Sequence, residues 1–292
     1  MSPSRQPPQI SILMLTYNRP QMIPRAIESI FRQTHTNWEL IIVQDGDNAE
    51  TERLVAEWLE RDPARIHFFR RGLVGTIAEA SNFGLEQARG EYVAILDDDD
   101  WWAADDKLAR QTAFLDAHPD HVGIGGGYVV VDQDGRRRGS YSKPELDEQI
   151  RSNALVANPV ANSTAMFRRM IGGRPALYDA SLRQFADWDF WLTLGAQGKL
   201  HNFPDNLAYY ALWEGGSSFK NQTANARAGL RIVMKHRRAY RRFYLALPVS
   251  LLYLGYSHLP VWMKRLSYEW LSALKKAVTA RGPAASTPAE GG

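Results

Sequence analysis

Residues 82–100 read NFGLEQARGEYVAILDDDD. The stretch contains the end of a helix pattern, an Arg89-Gly90-Glu91 turn, an apolar strand over residues 92–96 and then four consecutive aspartates. A helix that feeds a short apolar run ending in polar residues is the second half of a βαβ unit, with the strand buried on both faces of a parallel sheet. The same grammar recurs upstream. Residues 10–16 (ISILMLT) form a nearly unbroken apolar run, and Ile23, Ala26, Ile27, Ile30 and Phe31 then recur at helical spacing. A second strand is expected at 38–43 (WELIIV), and a helix at Leu54, Val55, Trp58 and Leu59. A third strand at 66–69 and a third helix at 77–88 complete the series. Strands alternating with helices specify an α/β fold with a mostly parallel, doubly wound, Rossmann-like sheet, whose ligands bind beyond the carboxyl ends of the strands. Those ends carry Thr16-Tyr17-Asn18, Gln44-Asp45-Gly46-Asp47 and Asp97 to Asp100.

Downstream the pattern changes. Residues 128–131 precede a turn at 132–135, which predicts a hairpin, and 163–167 read as another short strand. A helix pattern over 185–194 carries Asp187 and Asp189. Residues 282–292 (GPAASTPAEGG) are small, polar and proline-containing, and are expected to be disordered. No internal repeat is present.

The 292 residues suit one large α/β domain with an appendage, and 45% hydrophobic with 23% charged residues is the composition of an ordinary globular protein. The absence of cysteine excludes disulfides, thiolate metal sites and a cysteine nucleophile, and favours the cytoplasm. The leader MSPSRQPPQI lacks the apolar stretch of a signal peptide. Charge is unevenly placed. Residues 231–281 hold eleven Lys/Arg against the single acid Glu269, whereas residues 1–230 hold 24 basic and 30 acidic residues.

Four adjacent aspartates at a strand end repel one another unless a cation or buried donors neutralise them. An oxygen-only set suits Mn2+ or Mg2+ shared with substrate phosphates; a solvated acidic loop or helix N-terminus before Trp101-Trp102 is the alternative. Asp45 could accept a hydrogen bond from a nucleobase N–H or close an Asx turn. Tyr17 offers a stacking ring or a packing aromatic, and Asn82 is a polar residue within the third helix. Asp187 lies among Phe185, Trp188, Phe190 and Trp191, which would desolvate a carboxylate and suit it to general-base work; a helix N-cap is the competing role.

Together these stretches resemble the inverting, metal-dependent glycosyltransferases of family 2, with the GT-A fold, over about residues 1–220. The resemblance rests on ILMLTYN (12–18), RAIESIFRQTHTNWEL (25–40), ELIIVQDGD (39–47), NFGLEQARGEYVAILDDDD (82–100), NSTAMFR (162–168) and DWDFWLTL (187–194). It implies a nucleotide-sugar half at about 9–120 and an acceptor half at about 121–220. It assigns Thr16, Tyr17, Asp45, Asn82 and Asp98 to the nucleotide, Asp97 and Asp99 to the DXD metal site for Mn2+ or Mg2+, and Asp187 to catalysis as the base. The donor is expected to be UDP-linked and the acceptor a glycan or lipid-linked sugar. Three positions depart from the family pattern. Gln44 replaces the first aspartate of Asp-Asp-Gly, Ala186 replaces a glutamate before the base, and Ala211 and Trp213 stand where many relatives have Arg and His, with Glu214 beside them. No Gln-x-x-Arg-Trp element of processive synthases is present, so transfer of a single sugar is expected. The rival readings are a sugar-nucleotide nucleotidyltransferase, which would want a glycine-rich basic loop where Asn18-Arg19-Pro20 stands, and a degenerate binding scaffold.

Between Arg242 and Lys264 lie 21 residues without formal charge, nominally enough to span a bilayer. Pro248, Gly255, His258 and Pro260 interrupt them, and basic residues flank both ends, so 231–281 is expected to be a pair of amphipathic helices on an anionic membrane surface, with a helical cap on the domain as the alternative. A place on the inner face of the cytoplasmic membrane follows from that reading. A nucleic-acid partner is not expected, because the rest of the chain is acidic and no recognition motif occurs.

Overall fold

The computed structural model describes residues 7–72, 75–132, 134–212 and 222–259. Four parallel strands come first: β1 (Ile10–Thr16), β2 (Trp38–Gln44), β3 (Ile66–Arg70) and β4 (Tyr92–Ile95). They are connected by α1 (Ile23–Phe31), α2 (Ala49–Arg61) and α3 (Ile77–Gln87), and pair in the order β3-β2-β1-β4. Helices cover both faces, so β1, β2 and β4 are buried nearly throughout, which explains their continuous apolar sequence. The side chains still alternate. Leu13 enters a core beneath α3, while Ile10, Ile12 and Met14 enter a second core beneath α1.

Local chemistry sets the helix ends. The Asn48 side chain accepts the Thr51 N–H at 2.9 Å and starts α2, and Thr76 with Glu79 forms a reciprocal capping box on α3. Gly84 lets α3 close on β1: a Cβ there would stand 2.3 Å from Leu13 Cδ1. The turn between α3 and β4 is fixed from beneath, where Glu39 accepts from Ser11 Oγ at 2.6 Å and from Arg89 Nε at 2.8 Å.

The second half contributes β5 (Trp101–Trp102), α4 (Lys107–Ala117), β6 (His121–Val131), β7 (Arg137–Tyr141), α5 (Asp147–Asn153), β8 (Met166–Arg168), β9 (Met170–Ile171), β10 (Arg174–Pro175), α6 (Ala186–Gly195), β11 (Lys199–Ala211), α7 (Gln222–His236) and α8 (Phe243–Ser257). β8 runs antiparallel between β4 and β6, β11 lies parallel to β6, and β5 closes that side antiparallel to β11. The expected hairpin is β6 with β7, pairing Tyr128 with Tyr141.

Several elements differ from the sequence expectation. β6 begins at His121, seven residues early, because its Gly-rich start disguises it as a loop; a Cβ on Gly125 would meet Val160 at 2.6 Å and Asn202 at 2.7 Å. The strand expected at 163–167 is a 3-10 turn, Asn162–Thr164, followed by β8. β11 gave no clear period, since its pairing with β6 shifts register around Phe203 and Asn206. α7 packs one face on the domain: Ile232 and Val233 are buried in the core it shares with α6. α8 returns antiparallel along α7, with the Thr223 hydroxyl donating to the Ser257 carbonyl at 3.4 Å. Trp213, Glu214, residues 260–281 of the basic segment and the 282–292 tail lie outside the described residues.

Candidate active site

The carboxyl ends of β1, β2 and β4 bring the first group of residues together. Thr16 ends β1 buried, and Tyr17 follows with its side chain half exposed. Asn18 takes a left-handed conformation (φ 53°), which asparagine tolerates, and the chain turns so that Arg19 faces the end of β4. Its guanidinium bridges two aspartates there, with Nη2 2.7 Å from Asp98 Oδ1 and Nη1 on Asp99.

The four aspartates divide by role. Asp100 is buried and structural: it accepts Ser163 Oγ at 2.5 Å and the Ala211 N–H at 3.1 Å, tying the loop to the 3-10 turn and to β11. Asp97 donates its backbone N–H to Ser163 Oγ at 3.2 Å, and its carboxylate accepts Asn162 Nδ2 at 3.3 Å. Burial and the Asp99 charge push the Asp97 carboxyl up to about 6. Asp98, fully buried, is pushed up to about 7 by burial, against the opposing effect of Arg19. The loop thus concentrates more negative charge than its own surroundings neutralise. Among the described residues no three His, Asp or Glu side chains form a ready-made metal cluster.

At the end of β2, Asp45 does not close an Asx turn. Its carboxylate accepts Arg71 Nη1 at 3.2 Å and the Gly75 N–H at 3.0 Å, while its own N–H donates to the Thr16 carbonyl at 3.0 Å. Gln44 turns inward, donating Nε2 to the Gly46 carbonyl at 3.0 Å, and its Oε1 is buried without a protein partner among the described residues.

Asp187 occupies the first turn of α6. The helix starts from Phe185, a non-glycine residue held at φ 57° with no side-chain cap, so neither Asp187 nor Asp189 serves as N-cap. Asn158 Nδ2 donates to Asp187 Oδ2 at 2.7 Å. Burial raises the Asp187 carboxyl above its ordinary range, opposed by the backbone N–H groups of the helix start and by Lys143. Asp187 and the aspartate loop share one electrostatic neighbourhood. The Asp187 charge adds to the rise at Asp97, and the Tyr178 phenol is raised by burial first, with the charges of Asp187 and Asp97 adding to it.

Asn82 has a structural task as well: its amide donates Nδ2 to the Tyr178 carbonyl at 2.9 Å and accepts the Tyr178 N–H at 2.7 Å, holding that segment against α3. Sequence reading also missed Arg19, Arg71, Asn158 and Tyr178, which reach the site from distant segments. Asp189 was legible only as an acid on the helix. It is 1% exposed and accepts Lys235 Nζ at 2.8 Å, with His236 Nε2 also at 2.8 Å, fastening α7 to α6.

Residues 11–172 match the model of the family described as Glycosyl transferase family 2. The chain is 27% identical over 218 residues to EpsE of Bacillus subtilis (strain 168), which carries a provisional glycosyltransferase name, covering 74% of this chain and 77% of EpsE. It is 27% identical to an uncharacterized glycosyltransferase of Nostoc sp., covering 78% and 74% of the two chains. A Rickettsia bellii relative, also named an uncharacterized glycosyltransferase, is 25% identical over 73% of this chain, which spans only 30% of that protein. In architecture the chain is similar to S. aureus TarS 1-349 in complex with UDP-GlcNAc (TM-score 0.65, 17% identity, 92% of this chain and 77% of that one). It is similar too to the mannosyltransferase PcManGT of Pyrobaculum calidifontis in complex with GDP-Man and Mn2+ (TM-score 0.63, 17% identity, 94% and 86%). The sheet and its helices therefore have the GT-A fold.

Proposed function

The chain belongs to glycosyl transferase family 2, and on that premise we propose that it transfers one sugar from a nucleoside-diphosphate donor, UDP-linked in the first instance, to a hydroxyl of a glycan or lipid-linked acceptor. The observation that carries this reading is the placement of Asp187, a carboxylate with raised proton affinity, facing the aspartate loop at the end of β4. The two halves, about 9–120 for the donor and 121–220 for the acceptor, meet there. Thr16, Tyr17 and Asp98 would line the nucleoside, with Asp45 on the base once its carboxylate exchanges Arg71 or the Gly75 N–H for a base N–H.

Asp97 and Asp99 fit a divalent ion: both are carboxylates of one loop, the Asp99 charge adds to the raised proton affinity of the buried Asp97, and the missing ligands are those a diphosphate supplies. Mn2+ or Mg2+ held there would neutralise the leaving diphosphate. The remaining work belongs to the chain. Asp187, oriented by Asn158, accepts the proton of the acceptor hydroxyl as its oxygen bonds to the anomeric carbon and the bond to the diphosphate oxygen breaks. Attack opposite the leaving group inverts that carbon and releases a nucleoside diphosphate. Complexes of similarly folded proteins with UDP-GlcNAc and with GDP-Man and Mn2+ support the donor class.

The test is release of nucleoside diphosphate from UDP-, GDP- and dTDP-sugars with Mn2+ or Mg2+ and membrane lipid extract as acceptor source. Asp187→Asn should lower turnover by about 10^2–10^4 with nucleotide affinity unchanged. Asp99→Asn should lower turnover and weaken the metal dependence together. Failure of every donor to yield a diphosphate, with no nucleotide binding by calorimetry, overturns the proposal in favour of a binding scaffold.

A further inference from the structure

Helix α8 is built inside out for a helix in water. Its sequence, FYLALPVSLLYLGYS, has no formal charge, and its two buried residues, Ala246 and Ser257, are small. The large apolar side chains face outward: Tyr244 is 73% exposed, Leu251 50%, Leu252 52%, with Leu245 and Tyr253 above 40%. Tyr244, Leu245, Pro248, Leu251, Leu252 and Gly255 follow one another at helical spacing, so the exposed residues form a continuous stripe. A soluble helix reverses this order, and apolar stripes of this kind mark an interaction surface.

Charge decides what covers it. Residues 222–259 contain seven Arg/Lys and no Asp or Glu. Arg237, Arg238 and Arg241 are exposed in the connection leading into α8, beside the start of the stripe. An apolar face with guanidinium groups at its edge matches the boundary of an anionic bilayer, with Leu in the acyl region, Tyr at headgroup depth and Arg on the phosphates. The helix cannot cross. Its 15 residues extend about 22 Å, short of a hydrocarbon core of about 30 Å, and no described helix is long and apolar enough to cross a membrane. The base of α8 is anchored in the protein, since Ala246 and Phe243 join the core around α6 and Arg242 Nη1 donates to Asn153 Oδ1 at 3.3 Å.

We propose that the outer face of α8, with Arg237, Arg238 and Arg241, is a docking surface for an anionic lipid bilayer, on which the protein lies without spanning it. The inference deepens the acceptor class proposed above and rests on that reading only for its purpose. Binding itself is independent of turnover.

The experiment is flotation of the full chain with vesicles of phosphatidylcholine alone or with added phosphatidylglycerol. The chain should float with the anionic vesicles only, and raised salt should weaken the association. Leu251→Asp with Leu252→Asp should lower partitioning at least about tenfold, with the melting temperature and donor hydrolysis unchanged. Arg237→Glu with Arg238→Glu should remove the preference for anionic lipid. The proposal is overturned if the chain ignores anionic vesicles, if the paired leucine variant floats like the parent, or if sedimentation shows a dimer that the leucine variant dissolves. Diphosphate release, measured on the same samples, reports the transferase reading separately.

Discussion

Asp98 has the clearest pH consequence at the residue scale. Its folded proton affinity, about 7, lies far above the unfolded value of 3.8. The folded state therefore holds an extra proton between those values, and the stability this confers is complete below the unfolded value and lost as pH rises through about 7. With a chelator present, the denaturation midpoint should fall across that window, and Asp98→Asn should flatten the dependence. Asn82→Ala removes two hydrogen bonds to the Tyr178 backbone and should cost about 1–3 kcal/mol in urea unfolding. Turnover should fall more than nucleotide affinity, because Tyr178 stands beside Asp187. The acids were legible in the sequence because they sit at strand ends and in an aromatic run, where periodicity exposes them. Their partners were not. Arg71 reaches Asp45 across 26 positions, Asn158 reaches Asp187 across 29 and Asn82 reaches Tyr178 across 96, separations that leave no local period to read.

Among the elements, α6 is positioned by what lies behind it. Asp189 meets Lys235 and His236, so Asp189→Ala leaves the buried His236 ring without its Asp189 partner and removes one of the two carboxylates on Lys235, the other being Asp179, and should cost about 1–3 kcal/mol. Activity should fall while nucleotide affinity persists, since α6 carries Asp187 and the donor loops do not depend on α7; calorimetry and steady-state kinetics separate the two. Strands buried on both faces and helices with one apolar stripe declared themselves. β6 and β11 did not, because glycines that admit close packing and a register shift around Phe203 erase the alternation by which half-buried strands are recognised.

For the whole molecule, ligand linkage offers a direct measurement. A nucleotide that binds only the folded chain at a hundred times its Kd should add about 2.7 kcal/mol of stability, so thermal shifts with UDP, GDP and dTDP plus Mn2+ should single out the base before any acceptor is known. The charge asymmetry of the sequence has a spatial counterpart in the acidic loop at the end of β4 and a basic helical hairpin. The hairpin is tied to α6, which carries Asp187, through Asp189, and Tyr240 donates to the Leu192 carbonyl at 2.7 Å. That tie works as a ruler. With α8 on lipid as proposed, Asp187 would be held at one height above the surface, so an acceptor would be measured by its length, and a glycan extended by one sugar would carry its new end out of reach.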